Sequence, residues 1–346
     1  MKKWAWLILL AVTTGALFFV GTPRAADIDT LLEMNTGYRV DDLDWNIAGN
    51  MDGTNPNIFS ELTWSDLEIF QIKAGMRAAI NNAIYVRASL AYGWILGGEN
   101  QDSDYSGDNR TQEYSRSHNK ADDGDVWDAT LGLGYQFNLL SKRLRLIPLA
   151  GYSYSEQNLV ITDGLQTISE PALVPPGERP PSPLGPITGL DSIYETQWTG
   201  PWLGLDVWFQ ASQNIMLFGS FEYHWADYEA VANWNLVDEF AHPTSFEHEA
   251  DGSGIVITVA GEYVLKGPWS LSLTASYQDW STDPGTDRLY YADGATVDTR
   301  LNEVNWESYA ILVGITYRFH SKLWGKTYRT QMVRIGQRPD KQDEKK

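Results

Sequence analysis

The chain has 346 residues, no cysteine, fifteen tryptophans and eighteen tyrosines, and a formal charge of −19. The missing cysteines exclude a disulfide framework and any thiolate metal site. The acidic balance disfavours nucleic acid as a partner and favours cationic ones.

Lys2 and Lys3 precede a mostly apolar run from Trp4 to Val20, and Ala25 and Ala26 stand just before Asp27. That is the pattern of a secretory signal peptide over residues 1–26. Beyond it no apolar run is long enough for a membrane helix. A membrane protein built from residues 27–319 must therefore be a closed barrel, which leaves no backbone group unpaired in lipid.

The segments that follow alternate with a period of two, as strands do. Leu32, Met34, Thr36, Tyr38 and Val40 form the first, and Phe70, Ile72, Ala74 and Met76 the second. Ile84 to Trp94 is the clearest, followed by Trp127 to Tyr135. Leu144 to Gln157 is the fifth, poor in alternation around Ile147 to Leu149. Leu203 to Trp208, Ile215 to Trp225, Ile255 to Tyr263, Trp269 to Tyr277 and Tyr309 to Phe319 complete ten. Even-numbered strands lead into short turns, such as Asn81-Asn82. Odd ones lead into long polar stretches: Asp41–Ser60, Gly98–Asp125, Glu156–Gln197, Asp227–Gly252 and Asp279–Asn305.

An even strand count with alternating short and long connections predicts an all-β fold, a ten-stranded antiparallel transmembrane barrel of a Gram-negative-type outer membrane. The long loops are expected outside and both termini in the periplasm, with the barrel a monomer amid outer-membrane lipid. The other strand face carries Glu33, Arg39, Lys73, Arg77, Arg87, Asp128, Arg145, Asp206, Glu222, Glu262 and Arg318. In a small barrel such mixed charges predict a paired internal network rather than an open pore. The third long loop holds seven prolines between Pro171 and Pro186, which predicts an extended flap. A basic tail, residues 320–346, is expected after the last strand.

Several short motifs resemble the omptin family of ten-stranded outer-membrane endopeptidases. They are Ser60-Glu61-Leu62-Thr63-Trp64, the Asn81-Asn82 turn leading into Ala91–Asp104, Leu149-Ala150-Gly151-Tyr152, Gly200-Pro201-Trp202-Leu203-Gly204-Leu205, Phe218–Tyr223 and Tyr317-Arg318-Phe319. The resemblance implies an external groove in which an aspartate pair and an Asp-His pair hold a water between them. Asp102 and Asp104 stand at the first pair and are the candidate catalytic residues. Neighbouring carboxylates can activate a water because each raises the pKa of the other.

Counting up strand seven places Val231, Asn233 and Asn235 where the family has its second pair, and Asn cannot act as a general base. Of the five histidines, His118, His242 and His248 lie in long loops, His224 points into the lumen and His320 follows the last strand. The family's basic lipid A ligand is replaced by Glu156. No cofactor motif and no metal-ligand spacing occurs, and Asp122-Asp123-Gly124-Asp125 fits no known calcium loop. The sequence therefore predicts an omptin-like surface barrel that lacks the protease dyad and binds or scaffolds, cationic peptides being the partners its acidic face suits. The alternatives are a divergent endopeptidase with a loop histidine as base, and a narrow channel.

Overall fold

A computed structural model describes residues 26–323, so the expected signal peptide (1–26) but for Ala26, and the expected tail (320–346) beyond residue 323, lie outside the described residues. Ten long strands form the wall: β1 Ala26–Ile47, β2 Ser60–Ile80, β3 Ile84–Gly107, β4 Thr111–Tyr135, β5 Leu144–Ser169, β6 Gly185–Gln210, β7 Ile215–Asn233, β8 Phe246–Val264, β9 Trp269–Thr282 and β10 Thr296–Leu323. Each pairs antiparallel with its neighbours in sequence. The ring closes between β1 and β10, with Leu32 opposite Tyr317 and Val40 opposite Tyr309. The fold is the expected all-β antiparallel barrel. Two short strands are added, Phe137–Leu139 beside β5, and Gly285–Tyr290 between β8 and β10.

The strands run well past their expected ends. β1 alone has 22 residues, whereas about 9–11 tilted residues cross a bilayer. The expected loop from Gly98 to Asp125 is mostly paired strand, closed by Asn109 (φ 57°) and Arg110 (φ 60°). Two consecutive left-handed residues make the primed turn that suits hairpin twist, as Asn81 and Asn82 do at the other end. β10 likewise continues past Phe319 to Leu323, so His320 belongs to the barrel and not to a tail.

The polarity of the alternation explains these misplaced ends. In the lower part of β1, Leu32, Met34 and Tyr38 are exposed on the outer surface, as lipid contact requires. From Asp41 upward the apolar residues change to the odd positions, and Leu43, Trp45 and Ile47 are buried inside. β10 repeats the switch, with Ile311, Val313 and Ile315 outside and Val304 and Trp306 inside. Above the membrane the outside must be polar and the inside apolar, so a strand that keeps its direction reverses its pattern.

The interior has three storeys. In the lower one Ile147, Leu149, Trp202, Trp208, Met216 and Phe218 pack together among charged groups, which is why β5 alternates poorly there. The expected ionic network begins at this level and fills the middle one. Arg39 bridges Asp41 and Asp128 at 2.6 Å each, Arg77 meets Glu33 at 2.5 Å, and Arg87 holds Asp206 and Glu222 at 2.7 Å each. Arg318 pairs with Glu262. Trp208 receives the guanidinium groups of Arg77, Arg145 and Arg318 within 5.7 Å of its ring. A cavity of about 20 Å³ beside Glu33, Arg77 and Trp208 has room for one water and no more. The upper storey is an aromatic plug of Trp45, Trp64, Tyr194, Trp198, Phe246 and Trp306.

Candidate functional site

Asp102 and Asp104 lie near the upper end of β3, two residues apart and therefore on one face. Their cross-strand neighbours are Leu62 and Ser117 for Asp102, and Ser60 and Ser115 for Asp104. Leu62 and the next residue down, Trp64, belong to the interior plug, so this face looks into the mouth of the barrel. Desolvation pushes the Asp102 carboxyl well above the usual range, and its neighbour Asp104 adds to the shift. Asp104 is pushed up to about 6, first by desolvation; the Ser60 and Ser115 hydroxyls oppose this, and Glu178 and Glu113 reinforce it. Burial and mutual repulsion thus both favour the protonated form of this pair. The same negative field, with desolvation as the larger cause, raises the buried Tyr114.

Glu178 brings the proline-rich segment to this site. Residues 170–184 connect β5 to β6, and Arg179 reaches Glu239 of the β7–β8 connection at 4.0 Å. The flap thus lies over the mouth, tied at a second wall.

The opposite wall differs from the expectation. In β7 the buried positions are Ala226, Tyr228, Ala230 and Ala232. Val231 and Asn233 have the other parity and point outward, so the count along β7 ended on the wrong face. Asn233 Oδ1 lies 2.8 Å from His242 Nδ1. Asn235 accepts from the Asp191 amide at 3.0 Å and donates to the Gly189 carbonyl at 2.8 Å, fastening the start of β6. The inward positions nearest the mouth, Ala230 and Ala232, carry no group that can take a proton.

The histidines scatter. His118 pairs in register with Gln101, on the face opposite to Asp102, and is exposed. His224 is buried in the lumen as expected, 3.0 Å from Ser153 Oγ and 3.3 Å from Glu222. His320 meets Asp29 at 2.8 Å at the other end of the barrel. His248, expected in an exposed loop, is instead buried in β8 at 1% exposure.

Around His248 stands a polar chain that sequence reasoning missed. Its Nε2 lies 3.3 Å from Asp287, and its Nδ1 lies 2.8 Å from the Tyr194 hydroxyl. Tyr194 continues to the Tyr228 hydroxyl at 2.6 Å, while Thr299 donates to Asp287 at 2.7 Å. Trp45 stands edge-on to the imidazole at 4.9 Å. This is an Asp-His pair on the wall opposite β3, but only Nδ1 is hydrogen-bonded, Nε2 makes no hydrogen bond at its 3.3 Å approach to Asp287, and the plug covers both. Only Glu247-His248-Glu249, with its alternation, hinted at a strand there.

Glu156 is on the outer surface beside the Tyr154 hydroxyl, to which it is hydrogen-bonded. Asp123 accepts from the amide of Gly124 at 2.7 Å, a local turn contact. Among the described residues no group of three or more His, Asp or Glu side chains is placed to hold a metal.

A closed antiparallel ring with an apolar outer band and a filled ionic lumen defines an outer-membrane β-barrel. The chain belongs to the Protochlamydia outer membrane protein family, Pom, whose sequence profile matches residues 33–319. The outer membrane protease OmpT of Escherichia coli is a structural neighbour at a TM-score of 0.64 and 16% identity, covering 88% of this chain and 99% of its own. At that identity the likeness establishes the omptin-like fold and nothing further. The translocator domain of the autotransporter NalP from Neisseria meningitidis matches at 0.34 and 12%, over 91% of this chain and 95% of its own. No curated protein sequence matches.

Proposed function

We propose that this protein is an outer-membrane surface barrel that binds or scaffolds at its acidic mouth and does not hydrolyse peptides by the omptin route. Its long-connection end faces outward, its termini face the periplasm, and it acts as a monomer. One observation carries the reading. The inward face opposite Asp102 and Asp104 offers Ala230 and Ala232, and the histidine on that side is locked under the plug. Without a base the aspartate pair lacks the partner that would complete proton transfer to and from a bound water. The filled lumen argues against a conducting channel.

Dibasic fluorogenic peptides incubated with the refolded barrel test this. The expected rate equals that of buffer. Cleavage that disappears in Asp102→Ala/Asp104→Ala would overturn the proposal.

A divergent endopeptidase is the second reading, favoured by the shared inward face of Asp102 and Asp104 and the raised pKa of both carboxyls. It requires that His118→Ala, His242→Ala or His248→Ala abolish cleavage, and it loses its base if all three variants stay active.

A further inference from the structure

The proline-rich flap over the mouth is fastened at its ends and held loosely between them. At its start the Glu170 amide donates to the Tyr114 carbonyl at 2.9 Å, and at its end Gly185 joins the ladder opposite Gln166. From Val174 to Leu184 its hydrogen bonding among the described residues is one internal turn, from the Glu178 amide to the Pro175 carbonyl at 3.1 Å. Its tie to the far wall is the Arg179–Glu239 pair at 4.0 Å, with side chains 47% and 62% exposed. An exposed pair of that length adds little stability. Gly177 (φ 99°) and Gly185 (φ 118°) flank the tip, and a Cβ at either would meet no atom within 4 Å. Such positions pivot at low cost.

What lies beneath the flap pushes against it. The Glu178 charge acts on Asp104 and Tyr114 on one side and on Tyr291 on the other, so the flap bridges β3 and β4 to the turn at 291–295. The other charged groups around these residues are also acidic: Asp102 and Glu113 on β3 and β4, and Asp287 and Asp293 on the facing hairpin. The basic groups nearby are spent elsewhere, Arg110 on Glu61, Arg116 on Glu113 at 2.7 Å, and Arg179 on Glu239. Closure therefore brings a third carboxylate to Asp102 and Asp104, and none of the three has an ion-paired cation among the described residues.

The protonated carboxyls are favoured in this closed arrangement. Asp102 is held well above the usual range, Asp104 is pushed up to about 6, and desolvation raises Glu178. Once the flap lifts, Glu178 returns to water and its charge leaves the pair, so the open form binds protons less tightly. By linkage, acid favours closure, and opening grows as pH rises through about 6. We propose that the flap is a pH-operated cover, shut over Asp102 and Asp104 in acid and lifted by carboxylate repulsion at neutral pH. Its purpose rests on the reading of the mouth as a site for cationic partners. That site is uncovered and charged at neutral pH, and covered and discharged in acid.

The chain has no cysteine, so engineered thiols label cleanly. Nitroxides at Pro180→Cys on the flap and Ala295→Cys on the facing turn, in the full chain refolded into detergent micelles, report the gap by dipolar EPR. Both positions are exposed, and heat-modifiable migration on gels shows that the labelled barrel folds. The expected result is one short distance at pH 5 and a second, longer population that grows above pH 6. The open-to-closed ratio should rise about tenfold or more from pH 5 to pH 8, as release of one proton on opening requires. Glu178→Gln, and separately Asp102→Asn/Asp104→Asn, should each cut that rise to about twofold or less. Distances that are the same at pH 5 and pH 8 would overturn the proposal. So would a rise that survives unchanged in both variants. No peptide enters the measurement, so a mouth that fails to bind cationic peptides would sink the proposed function and leave this result standing.

Discussion

The lumen at membrane level and the plug above it are walled by the same ten strands, yet they are filled on opposite principles. At membrane level the outer surface must be apolar, and the interior takes the charged residues that alternation leaves over. Most of those charges are matched: Arg39, Arg77, Arg87 and Arg318 each have a carboxylate partner, while Lys73 and Arg145 make no ion pair among the described residues. Above the membrane the outer surface must be polar, and Trp45, Trp64, Trp198 and Trp306 move inside. The difference teaches where the stability of each part comes from. The plug gains by burying aromatic area. The network gains little by existing, because desolvation offsets Coulomb attraction, but it loses heavily when one member is removed.

The largest effect should therefore fall on the network. Among the described residues Arg87 is the one side chain that ion-pairs both Asp206, which is 0% exposed in its side chain, and Glu222. Arg87→Ala leaves Asp206 without an ion pair and Glu222 with His224 alone, and is expected to cost about 3–5 kcal/mol. Urea unfolding of the refolded barrel measures it. A loss below about 1 kcal/mol would mean that water enters the lumen freely, and the contrast between the storeys would fail.

The plug should respond less to a polar deletion. Tyr194→Phe removes the hydroxyl that links Tyr228 to His248 but keeps the ring that stacks on Trp64 at 5.2 Å. His248 Nδ1 then lacks its partner in an apolar surround, an expected loss of about 1–2 kcal/mol in the same unfolding experiment. A loss as large as that of Arg87→Ala would make the relay, and not the aromatic packing, the organising feature of the upper storey.

How much of this was legible depends on which storey is considered. Alternation from Leu32 to Val40 and from Tyr309 to Phe319 located the closing seam because lipid imposes one consistent polarity there. The charged lumen followed from the same residues read on the other face. Above Asp41 the polarity reverses, so Trp45, Tyr194 and His248 looked like loop residues although they are the core of the upper barrel. The site suffered from the same blindness. Asp102 and Asp104 were placed by resemblance and do share an inward face. The opposing wall was counted through β7 without a structural register, which selected Val231 and Asn233 in place of Ala230 and Ala232. Glu178 and Asp287 approach the mouth and the plug from distant connections, and no local pattern carries that information.

The smallest effect belongs to the rim where plug meets solvent, and its sign is the informative part. The Asp104 carboxyl moves from an ordinary 3.8 to about 6 in the folded protein. A raised acid pKa means that the folded state binds the proton more tightly than the unfolded chain does. Stability contributed by that proton is complete below about pH 4 and declines as pH rises through about 6. At neutral pH the pair is thus a net burden, held in place by the surrounding strands. Asp104→Asn removes the charge and keeps the shape. It should stabilise the barrel by about 1 kcal/mol at pH 7 after allowance for solvent at the mouth, with the gain vanishing by about pH 4. A gain independent of pH would show that the two carboxyls are ordinary solvated groups. In that case the aspartate pair would have no more claim to chemistry than any other acidic turn on this acidic surface.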